Sequence, residues 1–118
     1  MVVQELATAI QEDLPVTICL MNNGWLGMVR QWQKLFWSKR YSATKLYDSN
    51  PDFVKLAEAF GANGIRIERP SEIGDALKRS MNSGETCLID IHIDPEEDVL
   101  PMLPPDPAIP MVKGRCPY

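Results

Sequence analysis

The residues best suited to chemistry stand together at Asn22-Asn23-Gly24-Trp25-Leu26-Gly27-Met28-Val29-Arg30-Gln31-Trp32. An apolar run stops at two asparagines and a glycine, and a second apolar pattern, now at helical spacing, begins behind them. An asparagine side chain offers a neutral amide oxygen, and a chain leaving a strand offers carbonyl oxygens. Both are hard ligands of the kind Mg²⁺ takes, usually together with substrate phosphates and waters. Gly24 and Gly27 allow the backbone to approach a bound group closely. A helix starting near Leu26 aims its first amides at a phosphate. These types at this spacing permit a diphosphate–magnesium site at the mouth of a sheet, where open α/β sheets bind their ligands. On the same few residues a plain turn is the stronger reading, because Asn and Gly are common turn formers. No acidic ligand stands at an evident spacing from Asn23.

The elements that must position this stretch follow from apolar periodicity. Val3, Leu6, Ala7 and Ile10 recur at helical spacing. Val16 to Met21 is a short apolar run without alternation, which suits a central parallel strand covered on both faces, with a buried helical turn as the alternative. Trp25, Met28, Val29, Trp32 and Phe36 then mark a helix with a heavy aromatic face. Asn50 is expected to cap the next helix, with Pro51 in its first turn and Asp52 at the positive end of its dipole. Phe53, Leu56, Ala57 and Phe60 point inward, and Gly61 stops the helix. Ile65 and Ile67 alternate with Arg66 and Glu68 as a half-buried strand. Pro70-Ser71 opens a helix with Ile73, Leu77 and Met81 inward, ending near Gly84. Thr86 to Ile93 is the third strand.

The alternation of helix and strand predicts an α/β fold, a parallel sheet with flanking helices and right-handed crossovers. That domain is expected to span residues 1–94. Residues 95–118 carry seven of the ten prolines and form a Pro-rich C-terminal arm, extended or disordered. Three strands are few to cover helices carrying Trp25, Trp32, Phe36 and Trp37, so apolar surface is expected to stay open to a partner. The first helix begins almost at Met1 without a capping residue, as expected of a chain cut from something longer.

Composition narrows the function. At 118 residues the chain is one domain by length, with 45% hydrophobic and 24% charged residues and a formal net charge of -4. Mild acidity without a basic face argues against nucleic acid. Lys34, Lys39, Arg40 and Lys45, the densest basic cluster, read as a solvated surface. No apolar run reaches the roughly 18 residues of a membrane span, and no signal peptide opens the chain. Cys19, Cys87 and Cys116 have no metal or redox spacing, and Cys19 and Cys87 fit strand interiors as small hydrophobes. His92 reads as a strand residue rather than a ligand or base. Asp90 and Glu72 have no evident partner.

Asn22-Asn23 after an apolar strand, followed by Gly27-Met28-Val29-Arg30-Gln31-Trp32-Gln33, resembles the second half of the thiamin-diphosphate motif. More closely it resembles the acetolactate synthase (acetohydroxyacid synthase) catalytic large-subunit family. Val3 to Ala9, Asn50 to Gly61 and Asp94 to Met102 are similar to that family in the same order, so the likeness runs from Met1 to about Pro105. The double asparagine is generic to thiamin enzymes; the Gly-Met-Val-x-Gln-Trp block and the Val-Leu-Pro-Met arm are more specific.

The resemblance implies the C-terminal part of a thiamin-diphosphate-binding domain. Asn23 would bind Mg²⁺ through its side chain and Trp25 through its main-chain oxygen. Leu26, Gly27, Met28 and Val29 would line the cofactor. Met28 and Trp32 would face substrate, Trp32 at the entrance where the second 2-ketoacid and inhibitory herbicides bind. The family's Gly-Asp-Gly, whose Asp is a further Mg²⁺ ligand, does not occur in this sequence. Its activating glutamate comes from another domain across a dimer interface, so no catalytic residue is assigned here. The implied reaction decarboxylates pyruvate and condenses the enamine with a second pyruvate or 2-ketobutyrate, in branched-chain amino-acid biosynthesis. The implied cofactors are thiamin diphosphate and Mg²⁺, with FAD in the parent enzyme but not on this segment. The implied partners are a second copy and a regulatory small subunit, and the implied compartment is the cytoplasm, or a plastid if the source is a plant. The segment alone is expected to be inactive. Two alternatives stay open: another thiamin enzyme, such as a glyoxylate carboligase or a pyruvate oxidase-like protein, and a non-catalytic module that pairs through its aromatic face.

Overall fold

The computed structural model describes residues 2–103 and 110–111. In chain order the elements are α1 (Glu5–Gln11), β1 (Thr17–Asn22), α2 (Gly27–Phe36), α3 (Phe53–Ala59), β2 (Asn63–Ile67), α4 (Ile73–Ser83) and β3 (Cys87–His92), with one 3-10 turn at Pro70–Glu72 ahead of α4. They fall into two compact units. One holds the residues up to Asn23 together with Ser49–Ile93; the other holds Gly24–Asp48 together with the described residues from Asp94 onward.

The first unit is a three-stranded parallel sheet in the order β1-β3-β2. Thr17 lies opposite Cys87 and Asn22 opposite His92 on one side of β3, and Asn63 lies opposite Cys87 and Ile67 opposite Ile91 on the other. The centre is therefore β3, where Cys87 to Ile91 are all buried. The expectation that Val16 to Met21 forms the central strand is corrected: β1 is at the edge, with Val16, Ile18 and Met21 exposed. Both runs are short and apolar, and periodicity does not rank two such runs by their place in a sheet.

Side chains alternate across the sheet and build a core on each face. Ile67, Ala76, Cys87, Ile89 and Ile91 pack with Ile65, Ile73 and Leu77 on the α4 side. Leu6, Ala57, Ala62 and Leu88 pack with Ile10, Leu20, Phe53 and Phe60 on the α1 and α3 side. α4 ends at Gly84, whose φ of +72° lies in the left-handed region that favours glycine. It turns Ile73, Ala76, Leu77 and Ser80 inward, and the Ser80 hydroxyl meets that of Thr17 at 2.7 Å. Met81, expected inside, is 73% exposed because it falls past the margin of that stripe. α3 is capped by Asp52 and not by Asn50: the Asp52 carboxylate accepts from the Val54 amide at 3.1 Å and the Lys55 amide at 3.3 Å. The helix starts two residues later than Pro51 suggested, which moves the cap along with it. Cys87 is buried as expected, whereas Cys19 is exposed because its strand is an edge. Cys116 lies outside the described residues.

In the second unit Trp25 forms an antiparallel bridge with Lys45, flanked by bonds from the Leu26 amide to the Thr44 carbonyl (2.9 Å) and from the Leu46 amide to the Gly24 carbonyl (2.8 Å). The inward face of α2 is polar, with Arg30 and Gln31 buried. The arm residues past Asp94 lie against it, and the arm's course over 104–109 and 112–118 lies outside the described residues. Among the described residues no helix is long and apolar enough to cross a membrane.

Candidate functional site

β1 carries Asn22 and Asn23 to the carboxyl end of the sheet, the end at which open α/β sheets hold ligands. Asn22 is held there through both its backbone and its side chain. Its carbonyl accepts from the Ile93 amide at 3.0 Å, and its side-chain amide donates to Asp90 Oδ1 at 2.9 Å. Asp90, for which the sequence offered no partner, is 1% exposed and also meets Arg66 Nε at 3.4 Å and His92 Nε2 at 3.3 Å. Arg66 reaches on to Asp52 at 2.8 Å. Asp52 is held below its ordinary carboxylate pKa, chiefly by the Lys55 amide and further by the charge of Arg66. The Arg66 pKa is raised, its partial desolvation being overcome by Asp52 and Asp90. Glu72 likewise finds partners: it accepts from the Arg69 side chain at 2.9 Å and from the amides of Glu68 and Arg69, which lower its pKa.

Gly24 opens the second unit with φ +68°, and a Cβ there would lie 2.5 Å from the Tyr47 ring. Only glycine lets the chain turn and pass under that ring. In the bridge that follows, the flanking residues Gly24 and Leu26 make the ladder bonds, which turns Trp25's own carbonyl to the opposite edge. α2 starts at Gly27 after Leu26, with no side-chain cap. The amides of its first turn have no partner within the helix, so Gly27, Met28 and Val29 present N–H groups at the positive end of the dipole.

The residues on the outer side of α2 are open: Leu26 is 44%, Met28 55%, Val29 46% and Trp32 37% exposed. Asn23, Trp25 and Gly27 are half-buried. The inner side is occupied by a polar clasp on the arm. The Arg30 guanidinium stacks 4.9 Å from the centres of both the Trp25 and Tyr41 rings, donates to the Pro95 carbonyl at 2.8 Å and pairs with Glu96. Gln31 holds the Val99 backbone in both directions, at 2.9 Å and 3.0 Å. Lys34 pairs with Asp98 at 2.7 Å and Glu96 at 3.4 Å. Lys34 is thus not part of a solvated basic surface; its side chain is 10% exposed. The family-specific blocks around Trp32 and around Val99 are two sides of one contact. Sequence reasoning missed Arg30, Gln31, Lys34 and Asp90, and the available signal was the acidic run Glu96-Glu97-Asp98 set against the cations of the helix.

These residues fit a magnesium diphosphate. Among the described residues no group of three or more His, Cys, Asp or Glu side chains is placed to hold a metal. The amide oxygen of Asn23 and the carbonyl of Trp25 are the hard neutral oxygens that Mg²⁺ takes. The uncapped amides at the start of α2 are the donors that a diphosphate takes.

Comparison with known proteins shows the family. Residues 1–91 match the thiamine pyrophosphate enzyme, C-terminal TPP binding domain. The chain is 52% identical over 102 residues to the probable acetolactate synthase large subunit of Methanocaldococcus jannaschii, covering 86% of this chain and 17% of that protein. It is 49% identical over 103 residues to the acetolactate synthase isozyme 2 large subunit of Escherichia coli, covering 87% of this chain and 19% of that one. It is 42% identical over 103 residues to the mitochondrial acetolactate synthase catalytic subunit of Saccharomyces cerevisiae, covering 87% and 15%. Among solved structures, a thiamine diphosphate-dependent 4-hydroxybenzoylformate decarboxylase of Rhodococcus jostii superposes with a TM-score of 0.70 at 26% identity, over 78% of this chain and 17% of that one. The chain thus spans less than a fifth of the length of each of these relatives. The chain belongs to the family of the thiamine pyrophosphate enzyme C-terminal TPP-binding domain, and its relatives within it are acetolactate synthase large subunits.

Proposed function

We propose that this segment is the cofactor-anchoring part of an acetolactate synthase catalytic subunit, within a domain of residues 1–94 followed by the arm 95–118. Asn23 binds Mg²⁺ through its side-chain oxygen and Trp25 through its main-chain oxygen. The first-turn amides of α2 receive the diphosphate, and Leu26, Gly27, Met28 and Val29 line the cofactor. When bound, thiamin diphosphate would supply an electron sink for decarboxylation of a 2-ketoacid. The residues of this chain orient and exclude. Met28 and Val29 present an apolar wall that keeps water from the reacting carbon. Trp32, one helical turn on from Met28, shapes the entrance for the second 2-ketoacid, pyruvate or 2-ketobutyrate. The clasp of Arg30, Gln31 and Lys34 on the arm holds the opposite face of the helix. FAD, a second copy of the subunit, a regulatory small subunit and a cytoplasmic or plastid setting complete the reading by family likeness.

The observation that carries this reading is the uncapped start of α2, four residues after an asparagine pair at the carboxyl end of a parallel strand. The proposal assigns no acid–base residue to this chain, so the segment alone is inactive and binds the cofactor weakly. Calorimetric titration of Mg²⁺ and thiamin diphosphate into the 118-residue chain, together with an assay for acetolactate from pyruvate, tests it. Little heat and no product are expected. Tight binding, or turnover by the chain alone, would overturn the assignment of a half-site.

A further inference from the structure

The loop that brings the chain back from the end of α2 toward its start is bent against its own preference. Ser38, Lys39 and Ala43 have φ of +50°, +58° and +54°, left-handed values that residues other than glycine hold only where their surroundings impose them. Gln33 binds this loop at both of its ends. Its backbone carbonyl accepts from the Trp37 amide at 3.2 Å and the Lys39 amide at 3.1 Å. Its side chain straddles Ala43: Nε2 donates to the Ser42 carbonyl at 3.0 Å, and Oε1 accepts from the Ser42 amide at 3.3 Å and the Thr44 hydroxyl at 3.0 Å. Thr44, 2% exposed, carries the restraint onward, because its carbonyl accepts from the Leu26 amide at 2.9 Å. Leu26 is the residue from which α2 starts, and no side chain caps that start.

We infer that Gln33 is a positioning residue for the cofactor's diphosphate, acting through Thr44 on Leu26 and so on the first turn of α2. This rests on the reading of that turn as the seat of the diphosphate. The Leu26 amide is turned to Thr44, and the amides of Gly27, Met28 and Val29 just beyond it are those left to an anion. No bond within the helix fixes the direction of those amides; the bond to Thr44 fixes the peptide that leads into them. Without the Gln33 side chain, the left-handed turn at Ala43 loses its anchors on both sides, and the Thr44 carbonyl is released with it. The first-turn amides then sample orientations that must be given up when the diphosphate binds.

The test uses the full-length protein that carries this segment, in the variants Q33A, T44V, T44S and G27P. Thiamin diphosphate is titrated at saturating Mg²⁺ with tryptophan fluorescence as the readout, and thermal unfolding is followed without the cofactor. T44V keeps the shape of Thr44 and removes the hydroxyl bond, so it decides if Q33A does not fold; T44S restores the hydroxyl. G27P removes one first-turn amide at the helical position where proline fits. The thiamin diphosphate concentration at half-saturation is expected to rise about tenfold in Q33A and about threefold in T44V, the worth of one to two hydrogen bonds. The full fluorescence change should be recovered at high cofactor. T44S is expected to stay near the unsubstituted protein, and G27P to show a raised midpoint. A raised midpoint in G27P with an unmoved one in Q33A or T44V overturns the role of Gln33 and leaves the diphosphate reading standing. Lower melting temperatures in Q33A and T44V with unmoved midpoints make Gln33 merely structural and also overturn it. A midpoint in T44S as high as that in T44V overturns the route through the Thr44 hydroxyl. An unmoved midpoint in G27P overturns the diphosphate reading, and the role of Gln33 with it.

Discussion

Asp52 does two things with one carboxylate: it caps α3 through the Val54 and Lys55 amides, and it pairs with Arg66. Both interactions need the ionised form, so its pKa falls on folding, and Glu72 behaves likewise beside Arg69. A folded-state pKa below the unfolded value means that the contribution is fully present above the unfolded pKa. It is lost as pH falls through the folded one. The melting temperature is therefore expected to hold steady from neutrality to about pH 5 and to fall below about pH 4, where free carboxylates titrate. In D52N the acid fall should be shallower, because an amide still caps but no longer titrates; an equal slope would remove Asp52 from the account. At this scale the sequence was legible where one residue type has one use, as with Gly84 at a helix end. It was not legible at Arg30. An arginine among Met28, Val29 and Trp32 reads as the solvent side of a helix, and only the rings of Trp25 and Tyr41 and the carbonyl of Pro95 make it the inner side. Trp25 lies outside the helix that the period describes, and Tyr41 and Pro95 lie 11 and 65 residues away, where no local period reaches them.

The elements themselves followed from period. All three strands and all four helices stand within a few residues of where apolar spacing puts them. The order of the strands did not follow, because it depends on which run is covered on both faces. The close packing of α3 on β2 shows how such coverage is enforced. A Cβ on Gly64 would stand 2.8 Å from the Val54 carbonyl oxygen and 2.9 Å from its Cα, which are backbone atoms that do not move aside. The helix therefore sits as near to the strand as glycine permits. G64A is expected to lower unfolding free energy by about 1–3 kcal/mol, the range for overpacking a tight contact. The comparable change G74A, at a position with nothing within 4 Å of its would-be Cβ, should be neutral or mildly stabilising because it sits inside α4. Denaturant midpoints of the two variants check this. Equal values would mean that α3 and β2 separate without loss.

For the whole chain the question is what covers its apolar surface. β1 has one strand neighbour among the described residues, and Ile18 and Met21 on it and Val16 just before it are exposed. Beside it Leu6, Ala9, Leu20, Phe53 and Leu88 line a groove with Ile18 and Val16. On α2 the open residues are Met28, Val29 and Trp32. Scattered apolar residues on a surface need no explanation, but rows of them on an edge strand and a helix face are association surfaces. Counting strands foretold open apolar surface at Trp32 and Trp37, whereas Trp25 and Phe36 are half-buried; it did not foretell the open edge, because β1 was expected at the centre. Self-association of the chain is expected to rise with concentration in light scattering. The surface responsible can be separated by two single changes. I18K puts a charge on the edge strand, where natural sheets use lysine to block pairing, and W32K does the same on α2. If the edge dominates, I18K returns the chain toward monomer while W32K does not; if the helix face dominates, the reverse holds. A chain that stays monomeric at every concentration would mean that neither surface is adhesive.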